Sequence, residues 1–225
     1  MWKYGRVTLP RSLARGAAVL SAVGAAATAV IVAPTATAAP CPDIEVVFAR
    51  GTAEPAGIGR VGQSFTDALS TQVGGRTVGS YAVNYPAGYD FLTTADGAAD
   101  ATNHISSMAL SCPSTKIVLG GYSQGAAVMD MLAGVPPLGN KIGEVGSAPP
   151  LSPTAAVTVA AVAAFGNPAT KFGNPLSSVG MFADRAIDLC KDGDPICSDG
   201  RNPLAHRGYE DAMAQQGASF AAGRV

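Results

Sequence analysis

Ser123 stands in the run Gly121-Tyr122-Ser123-Gln124-Gly125, and the chain holds only two histidines, His104 and His206, that could activate it. A serine hydroxyl is a weak nucleophile at neutral pH, so it needs a base within hydrogen-bond reach and a third group to orient that base. The spacing G-x-S-x-G is that of a nucleophile elbow, a strand that turns sharply into a helix and lifts one serine hydroxyl clear of the sheet. Small residues flank the serine because the turn is strained and the backbone passes close to its neighbours, which Gly121 and Gly125 allow. The chemistry would be acyl transfer. The competing reading is a glycine-rich turn, and it loses ground only if a base, an acid and oxyanion donors can be assembled around Ser123.

In α/β-hydrolases the order along the chain is serine, acid, histidine, and only His206 follows Ser123. His104 falls inside a predicted helix and reads as a surface or packing residue. Asp184, Asp188, Asp192, Asp194 and Asp199 all lie between Ser123 and His206 and qualify as the acid by order. A short disulfide loop from Cys190 to Cys197 would hold its contents rigidly, which favours Asp192 or Asp194. The bland alternative for each is a solvated loop carboxylate beside glycine. The tetrahedral intermediate also needs donors for its oxyanion. One is expected from the backbone NH of Gln124 and the other from a loop after an early strand, where Arg50-Gly51-Thr52 is placed for it; a plain turn is the alternative there.

The elements that must carry these residues are legible from hydrophobic spacing. Strands are expected over Ile44 to Ala49, Thr77 to Tyr85, Lys116 to Tyr122 and Val157 to Phe165, with one more within Val179 to Leu189. Helices are expected over Gln63 to Val73, Thr93 to Leu110, Gly125 to Ala133 and Tyr209 to Ala222. In the second of these, Ile105, Met108 and Ala109 mark the side packed on the core. Strands alternating with helices imply a parallel sheet covered on both faces. The sequence shows no internal repeat and no second domain.

The N-terminal stretch is different in kind. Lys3, Arg6, Arg11 and Arg15 precede an uncharged run from Gly16 to Ala33, then Pro34 and the small residues Ala36-Thr37-Ala38. This has the form of a secretory signal peptide over residues 1–38, cut after Ala38 or Ala39; a retained membrane anchor is the competing reading. Cleavage would remove four of the 15 basic residues and none of the 16 acidic ones. The resulting acidic excess argues against a nucleic-acid partner. Residues 39–225 are enough for one domain with a substantial core. Cys41, Cys112, Cys190 and Cys197 all lie in that part, an even number suited to an oxidising compartment. Sequence proximity favours Cys190 with Cys197, leaving Cys41 with Cys112, while the spacings that zinc sites show are absent.

Taken together, Ala49-Arg50-Gly51-Thr52 after the first strand, the elbow around Ser123, and Cys190-x-x-x-Asp194-x-x-Cys197 followed by His206 resemble the cutinase family of serine esterases. The resemblance covers essentially the whole chain after the leader. It is strongest toward the cutinase-like proteins of mycobacteria and related actinobacteria. It implies a cutinase-like α/β-hydrolase fold, a three-layer sandwich with a central, mainly parallel sheet. It implies a triad of Ser123, Asp194 and His206, an oxyanion hole from Thr52 and Gln124, and the disulfides Cys41 to Cys112 and Cys190 to Cys197. Fungal members carry bulky apolar residues between acid and histidine, whereas Ser198-Asp199-Gly200-Arg201-Asn202 is polar. Of that loop only Pro195, Ile196, Pro203 and Leu204 offer apolar surface.

The expectation is therefore a secreted, monomeric carboxylic ester hydrolase without metal or organic cofactor, acting on short- to medium-chain esters rather than polymeric cutin. Its partners would be an ester or lipid substrate and a lipid surface, and no nucleic acid. A lipase, phospholipase, acetyl esterase or acyltransferase on the same fold, or a non-enzymatic envelope interaction protein, are the alternatives.

Overall fold

Three apolar runs with almost no charge form the centre of a sheet, because a strand buried on both faces has no polar side to present. They are β1 (Ile44–Ala49), β3 (Lys116–Tyr122) and β4 (Val159–Phe165), and β2 (Val78–Ala82) and β5 (Ala186–Leu189) complete it at the edges. The strand order is β2-β1-β3-β4-β5 and every pairing is parallel. The expected mainly parallel sheet is thus parallel throughout. The computed structural model describes residues 40–138 and 145–225. The expected leader, residues 1–38, lies outside them.

Among the described residues six α-helices surround the sheet: α1 (Gly59–Gln72), α2 (Thr94–Ser111), α3 (Gln124–Ala133), α4 (Pro153–Ala156), α5 (Pro168–Lys171) and α6 (Ala212–Ala222). Alternation along the strands sorts the core into two halves. Val46, Phe48, Val118, Ala163 and Phe165 pack with Phe65 and Leu69 of α1 and Ala214 and Ala218 of α6. Val47, Ala49, Leu119, Val162 and Ala164 pack instead with Ala101 and Ile105 of α2 and Val128 and Leu132 of α3. The result is the expected three-layer sandwich. Phe48, Phe65 and Phe165 form a triangle of rings with centroids 5.6 to 6.2 Å apart, and burying each contributes about 1.5–3 kcal/mol.

Several expected boundaries move. α1 begins at Gly59 rather than Gln63, because Val61 is buried and extends the apolar stripe despite Gly59 and Gly62. β2 ends at Ala82, three residues short of Tyr85, whose side chain turns into the core with its hydroxyl bonded to Arg50 O. On α2 the buried stripe runs through Ala98, Ala101 and Ile105, while Met108 and Ala109 are only half-buried. Val157 is exposed and precedes β4, and of Val179 to Leu189 only the last four residues are strand. Tyr209 precedes α6 instead of opening it. The short α4 and α5 each start on a proline after a serine or asparagine cap, a local signal that apolar periodicity does not register.

Both cysteine pairings are as expected. Cys41 is bonded to Cys112 and Cys190 to Cys197. No helix among the described residues is long and apolar enough to cross a membrane.

Candidate active site

A parallel sheet sends the C-terminal ends of all its strands to one edge, and the loops there carry the residues singled out above. Ser123 follows β3 directly and precedes α3, with φ 57° and ψ −115°. A non-glycine residue there is strained by about 1–3 kcal/mol. The surroundings enforce it. Ser123 NH donates to Phe165 O at 2.8 Å, and the elbow leaves no room for side chains beside it: a Cβ on Gly125 would lie 1.9 Å from Ala49 O and one on Gly121 2.2 Å from Gly125 O.

The strain presents the hydroxyl to His206. Ser123 Oγ lies 2.8 Å from His206 Nε2, and His206 Nδ1 lies 2.7 Å from Asp194 Oδ2. An ionised carboxylate only accepts, so Nδ1 carries the proton and Nε2 is left to accept from the serine. Asp194 is fully buried, and its Oδ1 accepts from Ile196 NH at 2.8 Å. The Cys190–Cys197 bridge closes the loop that holds it.

Among the competing aspartates, Asp184, Asp192 and Asp199 are exposed. Asp188 is engaged elsewhere, accepting from Asn167, Thr170 and Ser177. His104 sits apart on α2, bonded to Glu45 at 2.8 Å with its ring stacked 3.5 Å from Tyr81. It is the packing residue its position suggested.

The oxyanion candidates also meet. The Thr52 hydroxyl donates to Gln124 Oε1 at 3.0 Å, and Gln124 Nε2 donates to Thr94 Oγ1 at 3.0 Å. Thr52 itself is held from both sides. Gly51 NH donates to Glu54 Oε2 at 2.7 Å, and Ala53, at φ 62°, donates its NH to Ala87 O at 2.7 Å. As the first residue of α3, Gln124 has a backbone NH with no intrahelical acceptor, and it lies at the positive end of the helix dipole.

Three residues of the site escaped sequence reasoning. Tyr122 donates its hydroxyl to His206 O and lays its ring 5.1 Å from the imidazole; burial pushes its phenol up to about 12, so it stays a donor at working pH. Tyr209 donates to Asp194 Oδ2 at 2.5 Å, and burial raises its phenol as well. Thr94 anchors the Gln124 side chain. Tyr122 lies inside the elbow motif and Tyr209 three residues past His206, so proximity was the only signal available.

A cavity of about 660 Å³ lies beyond the C-terminal end of α3, with Leu92, Met131, Val135, Pro136 and Leu138 in its wall, and none of Ser123, Asp194 or His206 lines it. Ser123 is instead half-buried at the surface. Among the described residues no group of three or more His, Cys, Asp or Glu side chains is placed to hold a metal ion.

Residues 40–225 match the family model described as Cutinase. The chain is 48% identical to the phospholipase Culp4 of Mycobacterium tuberculosis over 228 residues, covering 100% of this chain and 95% of that one. It is 44% identical to the carboxylesterase Culp1 of the same species, covering 96% and 97%. Among solved structures, a Trichoderma reesei cutinase bound to a phosphonate inhibitor superposes with a TM-score of 0.65 at 36% identity, covering 82% of this chain and 77% of that one. With the parallel sheet and the elbow as its frame, the chain belongs to the cutinase family of serine ester hydrolases.

Proposed function

We propose that this protein hydrolyses short- to medium-chain carboxylic esters through Ser123, His206 and Asp194. The observation that carries the reading is the unbroken path from Ser123 Oγ to His206 at 2.8 Å and on to the buried Asp194 at 2.7 Å. Ser123 Oγ attacks the ester carbonyl while His206 Nε2 takes its proton. The carbonyl oxygen, now negative, is met by the backbone NH groups of Gln124 and Thr52, with the Thr52 hydroxyl beside them. His206 then passes its proton to the leaving alcohol, and Asp194 stabilises the imidazolium meanwhile. Water enters and the same steps release the acid.

The test is Ser123→Ala in a pure sample. Hydrolysis of p-nitrophenyl butyrate is expected to fall by at least ~10⁴-fold, and a fluorophosphonate probe should label only the wild-type protein. Undiminished turnover by the variant sinks the reading, and a wild-type protein that neither turns over nor labels is an inert envelope scaffold.

A second reading, a lipase or phospholipase at a lipid surface, is favoured by one feature. Tyr89 is 79% exposed and Leu204 71%, with Phe91 and Leu92 also open to solvent. Phe91 O accepts from Thr94, which is tied to Gln124, and Leu204 lies two residues before His206. Apolar surface therefore adjoins both the oxyanion side and the base, and the relative Culp4 carries the name phospholipase. Rates on matched p-nitrophenyl esters of increasing chain length, beside fatty-acid release from phosphatidylcholine vesicles, separate the two readings.

We further propose that residues 1–38 direct export and are removed, leaving a monomer. Two disulfides in the remaining chain support an oxidising destination. Mass spectrometry of protein from the culture medium should place the N-terminus at Ala39 or Pro40.

A further inference from the structure

Asp194 Oδ2 serves two donors at once. His206 Nδ1 lies 2.7 Å away and the Tyr209 hydroxyl 2.5 Å away. We propose that Tyr209 is a positioning residue for the acid–histidine pair: its hydroxyl pins the Asp194 carboxylate and shares the charge of the oxygen that faces His206, thereby setting how strongly the imidazole holds a proton. The proposal rests on reading Ser123, Asp194 and His206 as the reacting constellation.

The Tyr209 proton has two acceptors in reach, Asp194 Oδ2 at 2.5 Å and the disulfide sulfur of Cys197 at 3.4 Å, and the carboxylate is both the nearer and by far the stronger. Lys191 NH donates to the hydroxyl at 3.0 Å, so the phenol oxygen is occupied as an acceptor. Its proton goes to the carboxylate. Tyr209 is fully buried, and its ring packs edge-on to Phe165 and His206, with centroids 6.4 and 6.1 Å away. Phenylalanine would fill that space equally well. A hydroxyl buried there is a liability unless bonded, so the residue type is explained by the carboxylate and not by packing.

An oxygen with two donors is a weaker acceptor for each. Removing the phenol concentrates the negative charge on the bond to His206 and favours the imidazolium, so the base stays protonated to higher pH. It also leaves the carboxylate one fewer anchor, with Ile196 NH holding only Oδ1. The other titratable groups around the pair are engaged elsewhere: Tyr122 donates to His206 O, the Lys191 ammonium to Gly208 O, Glu210 accepts from Tyr209 NH and pairs with Arg60, Glu54 accepts from Gly51 NH and Arg60 NH, and the Arg207 side chain is exposed.

The experiment compares wild type, Tyr209→Phe and a protein with 2,3-difluorotyrosine at 209, whose more acidic hydroxyl is a stronger donor. Activity on a soluble p-nitrophenyl ester is followed from pH 4 to 9, with Ser123→Ala as control. For Tyr209→Phe, kcat is expected to fall roughly tenfold with KM nearly unchanged, and the acid limb of kcat/KM to move up by about half a pH unit or more. The fluorinated protein should move the limb the other way. A merely structural role would lower Tm without moving either limb. If both proteins keep the wild-type limb while Ser123→Ala is inactive, the proposal falls and the triad stands; if Ser123→Ala remains active, both fall. Should Tyr209→Phe fail to fold, the fluorinated protein decides alone, and an unmoved limb overturns the proposal.

Discussion

The Thr52 hydroxyl and the Gln124 side chain are joined by a hydrogen bond of 3.0 Å, which ties the loop after β1 to the first residue of α3. The link continues through Gln124 Nε2 to Thr94 at the start of α2. The two backbone NH groups proposed for the oxyanion are therefore held by a brace that spans three elements. Preorganised donors need no rearrangement as charge develops, and that is where their value lies.

Thr52→Val keeps the shape and the backbone NH but removes the brace. It is expected to lower kcat by roughly 10- to 100-fold, at or below the loss seen for a full oxyanion donor, with little change in KM. Steady-state kinetics on a soluble ester checks this. A rise in KM at constant kcat would mean that the hydroxyl only binds substrate.

Gly125→Ala strikes the elbow itself. Its Cβ would lie 1.9 Å from Ala49 O, a backbone atom of a central strand that cannot move aside. We expect a loss of at least about 3 kcal/mol, or roughly 6–12 °C in Tm for a domain of this size. A thermal melt decides it, and a Tm within a degree of wild type contradicts the close packing described.

The two disulfides should separate stability from activity. Cys41–Cys112 bridges a sequence separation of 71 and Cys190–Cys197 one of 7. Loop entropy then gives about 4 kcal/mol for the first and about 2.5 kcal/mol for the second. The double variant Cys41→Ser/Cys112→Ser should lose more Tm. Cys190→Ser/Cys197→Ser should lose more kcat, because its loop carries Asp194. Equal proportional losses in both measurements would sink the distinction.

Asp130 on α3 is fully buried, with Oδ1 accepting from Asn167 at 3.0 Å and Oδ2 unpartnered. Burial raises its carboxyl well above the ordinary value. A folded-state value above the unfolded one means that the folded chain holds the proton longer. Its stability contribution is present below the unfolded value near ~3.9 and is lost as pH rises above it. Asp130→Asn keeps the acceptor for Asn167 and removes the titration. The Tm of the variant relative to wild type should rise from pH 4 to pH 7, and parallel Tm curves would show that Asp130 does not titrate in this way.

Much of this was readable in the chain, for reasons that differ by residue. β1, β3 and β4 were legible because strands buried on both faces are nearly continuous apolar runs. Ser123 and His206 were legible because a motif and a scarce residue type single them out. Asp194 was one of five candidates until the short disulfide loop and the family resemblance narrowed them, and in the structure its burial and its bond to His206 set it apart from exposed Asp192. Tyr209, Tyr122 and Thr94 act through contacts with residues distant along the chain, which periodicity cannot register. The start of α1 was hidden by Gly59 and Gly62, where tertiary packing of Val61 overrides weak helix propensity.

The path from Ser123 to His206 closes 83 residues of chain, and both partners of the serine lie beyond β4, the last of the three central strands. A polypeptide emerging N-terminus first can form the strained turn before any base exists to ionise it. The proposed triad is therefore incomplete until the C-terminal segment that carries Asp194 and His206 docks. Return of activity after denaturation is accordingly expected to report the docking of Asp194 and His206 against the elbow, an event that a probe of β1, β3 and β4 alone does not register.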